Sequence, residues 1–181
     1  MIRFTCFLAL FLGTSLCWGQ KASEKIIWSQ DTRLSWEDFK GVPPQSNPYA
    51  ANTNSGMSYT WSYSTKSGTP ELEHEVFSNF YPQLSWVKEI KNKAYLLAHE
   101  QLHFDISELH ARKLRKALSE YEIGRIIRRD LQKIYEEIEA ARALMQKQFD
   151  RETDHSKITE AELRWREFIA LELQTLEAFS N

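Results

Sequence analysis

The segment that can do chemistry is Leu96-Leu97-Ala98-His99-Glu100-Gln101-Leu102-His103. Residues four apart on an α-helix lie one turn apart on one face, so His99 and His103 can both aim a ring nitrogen at one zinc ion (Zn2+), at about 2.0–2.1 Å. Glu100 sits about 100° round the helix, within reach of the water that completes such a coordination shell. Zinc acidifies that water, and a glutamate beside it can take the proton and later pass it to a leaving amine. The chemistry so specified is metal-assisted hydrolysis of a peptide bond, with Glu100 as base and then acid. The pattern arises by chance in about 1–2% of shuffled chains of this composition, so context has to add weight. It does so here, because uncharged neighbours before and within the motif suit a buried helix better than a solvated one.

A catalytic zinc normally takes three protein ligands. His110 shares the face of His99 and His103 but lies about 10 Å beyond His103 along the helix axis, too far to share their metal. It reads as a partly exposed packing residue. Better donors lie in Phe149-Asp150-Arg151-Glu152-Thr153-Asp154-His155-Ser156. If the helix carrying this run packs antiparallel to the motif helix, its end returns beside His99 and His103. His155 is the expected third ligand and Glu152 its competitor, with Asp105 and Asp150 as acceptors that would orient a ligating ring. The competing reading of the cluster is a solvated helix end capped by Thr153 or Asp154.

Two kinds of element must position these groups. From Ile26 to Trp86 the chain is rich in Trp, Tyr, Thr and Ser and contains all five prolines. Met57 to Tyr63 alternates with a period of two, and strands are expected near Ile26–Ser29, Asn54–Thr65 and Glu71–Phe80. Gly41 to Pro48 reads as a loop and Lys66 to Pro70 as a turn. From Asn92 onward there is no proline and the pattern is helical. A first helix spans about Asn92 to Tyr121, its cations Arg112, Lys113, Arg115 and Lys116 suiting the C-terminal end of the dipole. Gly124 marks a turn. Ile127, Leu131, Ile134, Ile138, Ala141, Met145 and Phe149 then form one apolar stripe. A third helix opens with a capping-box pattern, Thr159-x-x-Glu162, and carries Trp165, Phe168, Ile169, Leu173 and Leu176 on one face.

The fold class expected is therefore α+β and zincin-like, a small antiparallel sheet packed on a long helical hairpin plus a C-terminal helix. An edge strand at Asn54–Thr65 could hold an extended peptide by strand addition. The 181 residues, 42% hydrophobic and 27% charged, suit one globular domain. With 23 Lys plus Arg against 25 Asp plus Glu there is no basic excess for nucleic acid. Arg3, the apolar run Phe4–Leu16 and Cys17-Trp18-Gly19 form a signal peptide over residues 1–19, which leaves one domain at 20–181. Lipid attachment at Cys17 is the alternative fate, disfavoured by the bulky Leu16. Cleavage removes Cys6 and Cys17, so the mature chain has no cysteine and is exported to the periplasm or the exterior. No window is long and apolar enough to span a membrane after cleavage.

Leu34-x-Trp36-x-Asp38-Phe39-x-Gly41, Ala50-Ala51-x-Thr53-x-Ser55, Phe80-x-Pro82-x-x-Ser85-Trp86, the run from Leu96 to Arg112, and Phe149-Asp150-x-Glu152-Thr153-x-His155 resemble the bacterial domain-of-unknown-function family 922. The resemblance implies a secreted zinc-dependent protease. This chain departs from the family at Leu102, where Gly is frequent, at Phe149, where Tyr is usual, and at Ser156, where Gly commonly follows the histidine. The activity expected is a zinc metallopeptidase acting, as a monomer, on a peptide or protein substrate. Two other readings compete: a non-catalytic zinc-containing module that recognises an envelope partner, and a helical scaffold that pairs with another chain through the Ile127–Phe149 stripe.

Overall fold

The computed structural model describes residues 24–88 and 93–181. The expected signal peptide and both cysteines lie outside the described residues. Ten-residue strands β3 (Ser55–Ser64) and β4 (Glu71–Phe80) form an antiparallel hairpin with Tyr59 opposite Val76. The turn between them needs a left-handed residue, and Gly68 takes φ +86° there while donating to Thr65 O at 3.1 Å. Strand β1 (Ile26–Ile27) adds to the other side of β4, so the order is β1-β4-β3 and β3 is an edge. Alternation does the sorting: Met57, Tyr59 and Trp61 with Leu72 and Val76 turn to the helices, while Thr60, Ser62, Glu71, Glu73 and Glu75 face water.

A second, two-stranded sheet was not foreseen: β2 (Ala51–Asn52) pairs with β5 (Trp86–Val87). Two-residue strands carry too little periodicity to be read from sequence. The pairing fixes the run before β3, and Tyr81 N–H donating to Asn54 O at 2.9 Å extends the hold.

Helix α1 (Lys93–Ser119) runs through the middle of the molecule. Ala111, Leu114 and Leu118 pack on the sheet and Leu131; Leu102, Ile106 and Leu109 pack on Phe149, Trp165 and Ile169; and Phe104 packs with Trp28, Leu34, Phe39 and Phe80. A helix apolar on nearly every side is a core helix. Two of its cations do more than suit the dipole. Arg112 and Arg115 are buried, both bind Glu108, and Arg115 also donates to Val76 O at 3.0 Å and Phe179 O at 2.9 Å. The buried charges are thus matched, and they tie β4 and the C-terminal segment to α1.

Helix α2 (Ile127–Thr153) packs antiparallel to α1: Leu131 near its start meets Leu114 and Leu118, and Phe149 near its end meets Leu102. Of the apolar stripe, Leu131 and Phe149 are buried, Ile127, Ile134, Ile138 and Met145 are half-buried against the core, and Ala141 is exposed. Helix α3 (Thr159–Thr175) lies against both, with Trp165 and Ile169 buried, while Phe168, its ring edge-on to Trp165, is 42% exposed. The architecture is α+β, a small antiparallel sheet and three helices. Among the described residues no helix is long and apolar enough to cross a membrane.

Candidate metal centre

The antiparallel packing of α1 and α2 brings three donors together. His99 Nε2 lies 3.4 Å, and His103 Nε2 3.1 Å, from the same oxygen of Asp150, Oδ1. The ligand atoms of the three residues all lie within 4.8 Å of one another. For metal–ligand bonds of 2.0–2.1 Å, the edge of a tetrahedron is about 3.3 Å, so both separations suit ligands that share one metal ion.

The other ring nitrogens are engaged away from this point. His99 Nδ1 is 2.9 Å from Glu162 Oε2 on α3, and His103 Nδ1 meets Gln146 Oε1 on α2. Gln146 also donates through Nε2 to His103 O at 2.8 Å. In the tautomer that leaves both Nε2 atoms free to ligate, each Nδ1–H donates to its partner.

Glu100 is as buried as His99, at 3% exposure each, and its Oε2 has no hydrogen-bond partner among the described residues. A buried carboxylate oxygen left unmatched is costly unless a proton, water or cation serves it. It lines a cavity of about 700 Å³ together with His99, His103, Asp150, Tyr49 and Thr53. The wall opposite the histidines is the run 48–55, anchored through Thr53 Oγ1 donating to Glu100 O at 3.2 Å and Ser55 Oγ to His103 O at 3.2 Å. That run precedes β3 for most of its length, so the edge strand expected at Asn54–Thr65 meets the cavity only at its beginning.

The field of the site favours positive charge. Burial works against protonation of His99, but hydrogen bonds to Asp150 and Glu162 and the charge of Glu100 outweigh it and hold the imidazole up at about 9. Burial pushes Asp150 up, yet its hydrogen bonds to His103 and His99 pull it well below the ordinary carboxylate range. A place that holds a proton this firmly between carboxylates is also suited to a divalent cation.

The other expected site residues fall as follows. His155, expected as third ligand, sits at the cavity rim with its ring on Tyr49, centroids 4.1 Å apart, and Nδ1 3.4 Å from Asp150 Oδ1. It lies next to the converging group and is not one of the three. Glu152 faces α3, accepting from Trp165 Nε1 and Gln148 Nε2 at 2.8 Å each. Asp105 is on the other side of α1, accepting from Trp28 Nε1 at 2.8 Å and Gln101 Nε2 at 3.0 Å, so it orients no ligand. His110 is not partly exposed but 1% exposed, its Nδ1–H donating to Ile106 O at 2.8 Å.

Glu162 corrects a further expectation. Helix α3 is preceded by Ile158 at its N-cap with no side-chain capping bond, so Thr159-x-x-Glu162 is not a capping box. The carboxylate is fully buried and turned to His99 instead. Asp150, expected as an acceptor that would orient a ligating ring, stands in the converging group with His99 and His103; with Gln146 it forms an i, i+4 polar pair flanking the apolar stripe, the signal that places both opposite the two histidines.

No curated protein and no solved structure matches this chain. A family model described as a bacterial protein of unknown function, DUF922, matches residues 33–156, a span that takes in the run 48–55, both histidines, Glu100, Asp150 and His155, and the chain belongs to that family.

Proposed function

We propose that this protein is an exported zinc-dependent peptidase of zincin-like architecture, with His99, His103 and Asp150 as the metal ligands. The observation that carries the reading is the meeting of two Nε2 atoms at one oxygen of Asp150, beside the unmatched Oε2 of Glu100. Zinc bound there supplies a Lewis acid that polarises a peptide carbonyl and acidifies water. Glu100 supplies the proton transfers: Oε2 takes a proton from the attacking water and gives it to the amine nitrogen as the C–N bond breaks. Glu162 and Gln146 hold the two rings in their ligating tautomer, and the run 48–55 offers a wall along which an extended peptide can lie. In this reading His155 belongs to the cavity wall through its contact with Tyr49. The apolar N-terminal run supports export, and sequencing of the processed protein should begin at Gln20.

The deciding experiment uses Glu100→Gln, which keeps size and hydrogen bonding but removes the base. Zinc content and folding should stay near wild type, while hydrolysis of a mixed peptide library, read as new termini by mass spectrometry, should fall about 10²–10⁴-fold. A wild type that produces no termini beyond those of Glu100→Gln, in the library and in an envelope extract, sinks the peptidase reading and leaves a zinc-containing binding module.

A further inference from the structure

We infer that α3 is a working part of the metal centre, and that Glu162 is the positioning residue through which it acts. The inference rests on the zinc reading above. Glu162 lies beyond residues 33–156, the span that the family model matches. It has no accessible surface, and one carboxylate oxygen, Oε2, is 2.9 Å from His99 Nδ1. The other, Oε1, accepts from Arg166 Nη2 at 3.3 Å, one helical turn along. A fully buried carboxylate persists only where charged or polar partners match it, and here the inner partner is a metal ligand. Accepting Nδ1–H fixes the proton on that nitrogen and leaves the Nε2 lone pair facing Asp150. The other tautomer would put an N–H where the metal belongs.

The path of the chain is built to deliver this contact. After α2 ends, Asp154, His155 and Ser156 all adopt left-handed backbone, with φ of +45°, +51° and +70°. The reversal is closed by His155 N–H donating to Asp150 O and by Lys157 and Ile158 N–H donating to Thr153 O, each at 2.9 Å. Thus the turn that begins beside the ligand Asp150 sends α3 back across α1 to His99. Trp165, packed on Phe149 at 5.5 Å between centroids, sets the depth at which α3 docks.

The test compares zinc affinity, by competition with a chromophoric chelator, for wild type, Glu162→Gln, Glu162→Ala and Leu173→Ala. The last loosens α3 without touching His99. Glu162→Ala should weaken zinc about 10–100-fold, and Glu162→Gln, which retains an acceptor oxygen, by less. Leu173→Ala should bind like wild type, and the visible spectrum of the cobalt-loaded protein should change in the Glu162 variants alone. Should Glu162→Ala fail to fold, Glu162→Gln decides. Glu162 variants that bind zinc like wild type, or no more weakly than Leu173→Ala, overturn the role given to Glu162 and leave the metal centre standing. A wild type that binds neither zinc nor cobalt overturns the metal reading itself, and this inference with it.

Discussion

Phe149 lies stacked on His99, with ring centroids 4.5 Å apart and planes inclined by 26°. The same ring meets His103 edge-on at 5.0 Å and Trp165 at 5.5 Å. Phe149 is the last member of the apolar stripe of α2 and the immediate neighbour of Asp150, so the packing that seats the helix also sets the height of the carboxylate. Core and site share one register.

Phe149→Ala should therefore cost both stability and metal. Truncating this fully buried ring is expected to destabilise the fold by about 3–5 kcal/mol, read by urea unfolding. Phe149→Leu refills much of the space and should cost less. If Phe149→Ala retains zinc at wild-type affinity while losing that stability, the ring packs the core without holding the ligands.

Asp150→Ala should lose zinc, measured by elemental analysis after dialysis, because its Oδ1 is the point at which both Nε2 atoms meet. His155→Ala should lose less, since that ring is held at the rim by Tyr49. The opposite order would transfer the third ligand to His155, and wild type holding no more zinc than His99→Ala would dismiss the metal.

His110 gives the pH dependence. Burial drives its pKa down, against the Ile106 carbonyl that favours the charged form, from 6.5 to about 4. Below 6.5 the unfolded chain takes up a proton there that the folded chain refuses, so the stability present above that pH is lost as pH falls from about 6.5 towards 4. The loss from this one residue amounts to about 3 kcal/mol. Unfolding curves at several pH values for wild type and His110→Gln should converge as pH falls through that window, and a constant offset between them would contradict the assignment.

Much of the fold was readable because its period survives in the sequence. The alternation from Met57 to Tyr63 marks β3, and the stripe from Ile127 to Phe149 marks α2, each element reporting its own buried face. His99, Glu100 and His103 were readable for the same reason, being fixed by one helix. The meeting of Asp150 with both Nε2 atoms and of Glu162 with His99 Nδ1 was not, because it depends on how α2 and α3 rotate and dock, which no local pattern fixes. Thr159-x-x-Glu162 shows the hazard: the local motif suggests a cap, and tertiary packing gives the glutamate to His99. His155 is placed at the site by its sequence position, and the left-handed turn sets it at the cavity rim, with its ring on Tyr49 and Nδ1 3.4 Å from Asp150 Oδ1.

That turn yields the last prediction. Left-handed backbone costs a residue with a side chain about 1–2 kcal/mol, less for Asp, whose short polar group can bond locally, and almost nothing for Gly. Ser156, at φ +70°, is thus a costly member of the three, and it stands where the family resemblance favours glycine. Ser156→Gly should raise stability by about 1 kcal/mol in urea unfolding, the relief of strain exceeding the extra freedom glycine gives the unfolded chain. Zinc affinity should not change, because the backbone path to α3 is preserved. Ser156→Val, branched at Cβ, should do the reverse and destabilise. A Ser156→Gly variant less stable than wild type would mean that residue 156 is not held in the left-handed region, and the turn that delivers Glu162 to His99 would have to be built in another way.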